Sequence, residues 1–269
     1  MKEEEGRRKA KQRPVQPSSF SFHPSEEQVV LEGYISVNAA LQAKNRDIHG
    51  IYISKAKWDQ AGNRLLALAG EQGIEVCEVG TEVIETYASG KSHGGIIALA
   101  GPRRYLPLQE LAVGKSLPFI AMLDGVEDPF NFGLAIRALY AAGVDGLVVR
   151  PRNWMSAAGI VARASAGASE LMPTAIAETA LQAAELLKRQ GLAVACAVRR
   201  NSVSLYDVPL AVPLFLVIGG EKRGISRPLL EKADLRLEIP YDRRFAHSLG
   251  TASAAAVLAF EIMRQRRRE

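Results

Sequence analysis

The sequence predicts an α/β fold whose mostly parallel sheet is covered by helices on both faces. From residue 118 onward, short apolar runs of strand length alternate with stretches of helical spacing. The runs are apolar throughout, as in "FIAML" and "LFLVIG", which is typical of strands buried on both faces. A shorter alternation over residues 28–100 predicts a smaller α/β domain in front of the larger one.

The N-terminal part of the chain divides into a tail, the small domain and a linker. Residues 1–27 are charged, contain Pro and Ser and lack apolar periodicity, so we expect a flexible basic tail. Residues 101–117, which are rich in Pro and Gly, form the predicted linker. The predicted elements of the small domain are a helix over "EGYISVNAALQAKN", a strand at "HGIYIS", a helix over "AGNRLLALAGEQG", a strand at "IEVCEV", a helix near residues 80–88 and a strand at "GGIIALA".

The large domain, residues 118–269, holds the remaining predicted elements. Strands are expected at "FIAML", "GLVVR", "LAVACAV", "LFLVIG" and "LRLEIP", and helices over residues 131–142, 156–164, 178–190, 226–232 and 250–266. Ligands of such sheets bind at the carboxyl ends of the strands. Polar residues that follow these strands are therefore the candidates for a functional site.

Composition argues against several classes of protein. No apolar run approaches the roughly 18 residues of a membrane helix, and no apolar stretch follows the charged N-terminus as in a secretory signal. Cys77 and Cys196 are isolated, which argues against a disulfide framework or a cysteine-based zinc site and favours the cytoplasm. The four His residues form no H-E-x-x-H pair, so no metal site is expected, and the lack of a long apolar run argues against a membrane partner.

The formal net charge of +5 is concentrated at the two ends of the chain. Residues 1–13 hold six Lys and Arg against three Glu, and residues 264–269 hold four Arg against one Glu. Basic ends of this kind attract nucleic acid through the phosphate charge, or act only as solubilising segments.

One candidate segment is "DGVEDPFNFGLAIRALYAAGVDGLVV", which leaves a strand and enters a helix. Asn131 either caps that helix or, together with Arg137, presents an amide and a guanidinium to a polar substrate. The planar fork of an arginine suits a phosphate group.

Two further segments follow later strands. In "VIGGEKRGIS", Ile225 stands where a phosphate-binding Walker loop has Lys, but Gly219 and Gly220 permit close approach of the backbone to a flat ligand. Glu221 is either a solvated turn residue or, beside a ligand and an Arg of another chain, a residue that orders them. In "IPYDRRFAHSLGTASAAAVLAFE", Ser248 either caps the small-residue helix or belongs to the site, and no G-x-S-x-G elbow of a serine hydrolase surrounds it.

In order and spacing, these three segments and "ARASAGASELMP" between them resemble the motifs of the SpoU/TrmH family of RNA ribose 2′-O-methyltransferases, in the SPOUT superfamily. The N-terminal unit resembles the ribosomal-protein-like substrate-binding domain of the rRNA-modifying members. The resemblance implies a trefoil knot in the C-terminal domain and S-adenosyl-L-methionine as cofactor. It also implies large-subunit ribosomal RNA rather than tRNA as substrate, and a homodimer in which each site is completed by the partner.

Carried over residue by residue, the resemblance assigns catalytic roles to Asn131, Arg137, Glu221 and Ser248. It assigns the cofactor pocket to Gly219, Gly220, Ile239 and Leu249, with the strand end near Val198 closing it. A charged arginine has no acceptor and a pKa above about 12, so we expect Arg137 to orient the reacting hydroxyl and an adjacent phosphate rather than to take the proton.

One position departs from the family pattern, because Gly250 stands where members usually carry Asn. The departure leaves open a second class, a non-catalytic RNA-binding or ribosome-associated protein that retains the knot. A small-molecule enzyme on an unrelated α/β fold is a third alternative, which a failure to bind RNA at low salt would favour.

Overall fold

The computed structural model describes residues 28–57, 60–151 and 157–267, which contain two β-sheets flanked by helices. The predicted basic tail, residues 1–27, lies outside the described residues, as does the first residue of the helix predicted over 156–164. The predicted α/β architecture with a parallel sheet is confirmed.

The N-terminal unit contains a four-stranded mixed sheet. Its elements are β1 (Val29–Glu32), α1 (Gly33–Ala43), β2 (Ile48–Ser54), α2 (Gln60–Gly70), β3 (Val76–Val79), α3 (Thr81–Tyr87) and β4 (Ile96–Ala100). The strand order is β1-β4-β2-β3, with β4 antiparallel to both neighbours. The sequence did not predict β1, because its four residues run directly into the helical pattern of α1.

The C-terminal unit contains a seven-stranded parallel sheet in the order β7-β6-β5-β10-β8-β11-β9. Its elements are β5 (Phe119–Asp124), α4 (Pro129–Ala141), β6 (Gly146–Val149), α5 (Ala158–Ala164), α6 (Ala168–Leu171), β7 (Thr174–Ile176), α7 (Ala180–Arg189), β8 (Ala193–Ala197), β9 (Val203–Ser204), β10 (Leu214–Gly219), α8 (Arg227–Lys232), β11 (Leu235–Glu238) and α9 (Thr251–Arg266). The predicted strands and helices occur here, whereas the short elements β7, β9 and α6 were not predicted.

Both faces of the parallel sheet are covered, which explains why its strands are apolar throughout. Along β5, Phe119, Ala121 and Leu123 pack in the layer that contains α4 and α9. Ile120 and Met122 point to the other face, into the layer that contains α7 and α8. Successive side chains of a strand alternate between faces, so both sets must be apolar when both faces are buried.

The segment predicted to be a linker, residues 101–117, is packed against the C-terminal unit. Leu106 pairs with Ala175 in an isolated parallel bridge, and Leu108 and Leu111 are buried in the layer beneath α7. Leu108 and Leu111 bury apolar surface that a free connection would leave in water, so the segment is held against the C-terminal unit. Its assignment as the linker between two domains stays a prediction.

Polar contacts join the N-terminal unit to α5 and α6. The guanidinium of Arg46 forms a bidentate ion pair with the Glu170 carboxylate, with Nε–Oε2 and Nη2–Oε1 distances of 2.8 and 3.0 Å. Arg163 on α5 forms a second ion pair with Glu32 at the end of β1. These contacts hold the small sheet against the helices that precede β7.

The central position of β10 is the main topological feature of the large sheet. Although it follows β8 in the chain, β10 lies between β5 and β8 and is parallel to both. The knot that the family resemblance implies stays a prediction.

Candidate active site at the strand ends

A cavity of about 620 Å³ opens at the carboxyl ends of β8, β10 and β11 and reaches the first turns of α9. Its volume falls within the range of small-molecule sites. The four residues predicted to hold a cofactor, Gly219, Gly220, Ile239 and Leu249, all line it, as does Val198. Two of the predicted catalytic residues, Glu221 and Ser248, lie in the same wall.

Gly219 and Gly220 form a wall of main chain because neighbouring backbone leaves no room for a side chain. A Cβ on Gly219 would lie 2.7 Å from the carbonyl carbon of Gly224, and one on Gly220 would overlap the carbonyl oxygen of Gly125. Gly224 has a φ of +60°, which allows the turn to fold back onto Gly219. The glycines are thus needed for contact between loops, in addition to lining the cavity.

Arg199 and Tyr241 brace the loop that connects β11 to α9. The Arg199 guanidinium donates hydrogen bonds to the carbonyl oxygens of Ala246 and Phe245, at 2.7 and 3.0 Å, and lies 5.3 Å from the centroid of the Tyr241 ring. The backbone N–H of Leu249 donates to the Tyr241 hydroxyl at 2.8 Å. Sequence reasoning missed these roles, since the residues lie on different loops and share no local motif.

The N-terminus of α9 is partnered by Glu221 rather than by Ser248. The backbone N–H of Thr251 donates to Glu221 Oε1 at 3.4 Å, and the N-cap residue is Gly250. A carboxylate at this position is favoured by the partial positive charge of a helix N-terminus. The alternative that Ser248 caps the helix is therefore wrong, and its side chain stays available at the cavity wall.

Gly250, the position that departs from the family pattern, does not require glycine for its backbone conformation. Its φ of −58° and ψ of 150° are open to any L-residue. The nearest atom to a Cβ built there is Glu221 Oε1, at an ordinary contact distance of 3.4 Å.

Asn131 lies three residues inside α4 and does not cap it. Asp128 is the N-cap, and its carboxylate accepts hydrogen bonds from the backbone N–H groups of Phe130 and Asn131, at 3.3 and 3.0 Å. Pro129 occupies the first turn, where a missing N–H costs nothing. The signal for this cap was present in the sequence as the Asp-Pro pair.

Asn131 instead lines a smaller cavity of about 140 Å³, as do Glu221 and Thr251. Both residues line the larger cavity too, so the two spaces meet at the N-terminus of α9. The structure therefore brings Asn131, Glu221 and Ser248 around one region.

Arg137 is the predicted catalytic residue that the single chain does not place in this region. It lies two turns into α4, is exposed and lines neither cavity. Within the part of the chain that the structure describes, its guanidinium has no hydrogen-bond or ion-pair partner.

Other classes of site are not evident in the described residues. They contain no group of three or more His, Cys, Asp and Glu side chains arranged to hold a metal ion. None of the helices in the described ranges is long and apolar enough to cross a membrane.

The chain matches the model of the SpoU rRNA methylase family over residues 118–260. Over residues 30–106 it matches a model described as RNA 2′-O ribose methyltransferase substrate binding. The two matches correspond to the two sheets and their helices.

Relatives align with nearly the whole chain. A putative TrmH family tRNA/rRNA methyltransferase of Staphylococcus haemolyticus is 30% identical over 244 residues, 89% of this chain and 97% of that protein. The 23S rRNA (guanosine-2′-O-)-methyltransferase RlmB of Haemophilus ducreyi is 31% identical over 238 residues, 87% and 96% of the two chains.

The fold is shared with solved structures. The SpoU methyltransferase AviRb of Streptomyces viridochromogenes, in complex with AdoMet, has a TM-score of 0.75 at 18% identity, covering 90% of this chain and 92% of that one. With the family model spanning more than half of the sequence, the chain belongs to the SpoU family of RNA 2′-O-ribose methyltransferases.

Proposed function

We propose that this chain transfers the methyl group of S-adenosylmethionine to a ribose 2′-hydroxyl of ribosomal RNA, acting as a homodimer in the cytoplasm. The observation that carries the proposal is the cavity at the strand ends, because it contains all four predicted cofactor residues and meets the region around Asn131, Glu221 and Ser248.

The cavity walls suit the proposed cofactor. Apolar side chains from β10, β11, the loop after β11 and α9 supply surface for a flat adenine, and they are Ile218, Leu237, Ile239, Leu249 and Leu258. The main-chain wall at Gly219 and Gly220 lets a ligand approach closely. S-adenosylmethionine supplies an electrophilic methyl group on a sulfonium when it is bound.

The proposed catalytic role of the protein is positioning. Holding the ribose oxygen in line at near-attack distance removes much of the entropic barrier to transfer. Arg137 offers hydrogen-bond donors and no acceptor, so it orients the hydroxyl and an adjacent phosphate. The hydroxyl loses its proton to a phosphate oxygen or to water as its oxygen takes the methyl group. Asn131, Glu221 and Ser248 arrange the substrate and the guanidinium of Arg137.

A second copy of the chain is proposed because Arg137 lies outside the cavity of its own chain. It projects from α4, which packs beside α9. Exposed aromatic residues occur on both helices, Phe130 and Tyr140 on α4 and Phe260 on α9. A symmetric interface over these helices buries apolar surface and presents Arg137 to the site of the partner.

Ribosomal RNA is proposed over tRNA for two reasons. The Haemophilus ducreyi relative is named for 23S rRNA, and the alignment with it covers 87% of this chain. The match over residues 30–106 adds a substrate-binding unit in front of the methyltransferase unit.

The test is transfer of labelled methyl from S-adenosylmethionine to total RNA from a strain that lacks the gene. We expect label in large-subunit ribosomal RNA at a ribose 2′-oxygen, and none with Arg137→Ala. Arg137→Lys keeps the charge but loses the planar fork, so we expect it to lose most of the activity. Label in tRNA alone would refute the ribosomal substrate, and absence of transfer with intact binding of cofactor and RNA would favour a non-catalytic RNA-binding protein.

A further inference from the structure

The loop between β11 and α9 forms a second cleft beside the cofactor cavity. The cleft has a volume of about 240 Å³ and is lined by Arg199, Glu238, Ile239, Pro240, Tyr241, Arg243, Arg244 and Phe245. Arg199, Ile239 and Tyr241 line both spaces. Whatever binds in this cleft therefore lies next to the occupant of the larger cavity.

The cleft is strongly basic. Arg243 and Arg244 are exposed and have no hydrogen-bond or ion-pair partner in the described ranges of the chain. The carboxylate of Glu238 is already engaged, because it accepts a hydrogen bond from the Ser202 hydroxyl at 2.7 Å. Asp242, the remaining carboxylate of this loop, does not line the cleft, so two arginines without partners face a single engaged carboxylate there.

An exposed aromatic ring accompanies these charges. The Phe245 side chain is 53% exposed, although its ring packs against Tyr241 at 6.2 Å and against His247 at 5.5 Å between centroids. Arg199 fixes the backbone of the same residue through its carbonyl oxygen. The ring is thus held in place while about half of the residue surface is exposed and accessible to a ligand.

We propose that this cleft binds an unpaired nucleotide of the RNA substrate beside the ribose that is methylated. The base stacks on Phe245, and Arg243 and Arg244 contact the flanking phosphates. Arginines without partners beside an exposed aromatic ring are typical of sites that bind single-stranded nucleic acid. The inference rests on the proposed function, since it identifies the strand in the cleft with the substrate of the adjacent site.

The test measures binding without turnover. A fluorescent single-stranded RNA of about ten nucleotides, long enough for one such groove, is titrated with the full chain across a series of salt concentrations. We expect the double variant Arg243→Gln, Arg244→Gln to lower the slope of log K against log salt by about 1.4, or about 0.7 for each phosphate that the variant no longer neutralises. Phe245→Ala is expected to lower affinity roughly tenfold without a change of slope, and Phe245→Tyr to restore it.

Two control variants make the same types of substitution, of an exposed arginine and of an exposed aromatic residue, outside the cleft. Arg189→Gln removes an exposed arginine at the end of α7, and Tyr206→Ala removes an exposed aromatic ring that lines neither space. Both are expected to bind the strand as the unchanged protein does. Binding of S-adenosylmethionine, measured by calorimetry, is expected to stay the same in the Arg243/Arg244 double variant and in Phe245→Tyr.

Several outcomes would overturn the inference. They are an unchanged salt slope in the double variant, an unchanged affinity in Phe245→Ala, and failure of the unchanged protein to bind the strand at low salt. Failure of the proposed function is distinguishable, because a protein that shows the expected slopes but transfers no methyl group retains the nucleotide site. Normal methyl transfer with an unchanged KM for RNA in the variants would instead refute the proposed nucleotide site and leave the proposed function intact.

Discussion

Arg46 and Glu170 form a bidentate ion pair between the two units, with side chains only 4% and 2% exposed. Glu170 also lies near Arg103. Burial lowers the pKa of Arg103, and the negative charge of the Glu170 carboxylate partly offsets this decrease. Removal of Glu170 therefore leaves the buried guanidinium of Arg46 and the partly buried guanidinium of Arg103 without this counter-charge, whereas removal of Arg46 leaves Glu170 beside Arg103.

We expect Glu170→Gln to destabilise the protein more than Arg46→Gln does. The cost of an uncompensated buried charge is about 3–5 kcal/mol. Urea unfolding of both variants measures the difference. Arg227→Gln, which breaks an exposed pair with Glu231, is the control and should change little. Equal losses of stability in the two buried variants would show that Arg103 does not depend on Glu170.

Gly250→Asn is expected to be tolerated. Its backbone angles suit any residue, and the closest atom to a new Cβ, Glu221 Oε1, lies at contact distance. Gly220→Ala is the matched control, because its Cβ would overlap the Gly125 carbonyl. Melting temperature and affinity for S-adenosylmethionine measure both. A decrease with Gly250→Asn as large as that with Gly220→Ala would mean that glycine is required at 250.

Tyr241→Phe is expected to weaken binding of S-adenosylmethionine by roughly 3- to 10-fold, because it removes the hydroxyl that the Leu249 N–H contacts at the cavity wall. Arg199→Lys should have a similar effect, since an ammonium does not reproduce the forked donation to Phe245 and Ala246. Calorimetry at neutral pH measures the affinity. Unchanged affinity in both variants would show that the loop keeps its conformation without them.

Mixing two inactive variants tests the proposed dimer. If Arg137 serves the site of the partner, a heterodimer of Arg137→Ala with Glu221→Gln contains one site with both groups intact. After the subunits exchange, we expect about a quarter of normal methyl transfer, because half of the dimers are mixed and each has one working site. Activity that stays at the level of the separate variants would place both groups in the same chain.

The two cysteines are expected to resist thiol reagents in the folded protein. Burial raises the pKa of Cys196 to about 12, with a smaller opposing effect from Arg236, and burial followed by Glu75 raises that of Cys77 to about 11. Ellman's reagent at mildly alkaline pH should label neither thiol before urea is added and both after it. Labelling of the native protein would contradict their burial.

The same pKa shifts predict a loss of stability in alkali. The pKa values of both thiols in the folded protein lie above the ordinary value of 9.0, so the unfolded chain releases these protons first. The contribution of the two protonated thiols to the free energy of unfolding is therefore complete below pH 9. It declines as the pH rises from 9 toward the pKa values of the thiols in the folded protein. Urea midpoints across this range measure it, and Cys196→Ala should flatten the decline.

The sequence predicted five strands of the large sheet well because each is a mainly apolar run of four to six residues. "LFLVIG" coincides with β10, Leu214–Gly219, residue for residue. β9 has two residues and β7 has three, too few for a periodic pattern to emerge. β1 was missed because a strand of four residues joins a helix without an intervening turn.

The candidate site was predictable only where its residues follow a strand in the chain. Gly219 ends β10, Gly220 follows it and Ile239 follows β11, and all three meet at one cavity. The contact of Arg199 with the loop at Phe245 joins residues 46 positions apart, which no local pattern encodes. The role of Glu221 at α9 likewise depends on two loops that come together only in the folded sheet.

The central place of β10 also governs when the protein can fold. β10 starts about 90 residues after β5 ends, and α9, which covers α4, is the last helix of the described chain. Pairings between such distant segments form slowly, because a long loop must close before they contribute any stability. During synthesis β5 therefore lacks its neighbour β10 until β10 has left the ribosome, and the apolar face of α4 stays uncovered until α9 has left it.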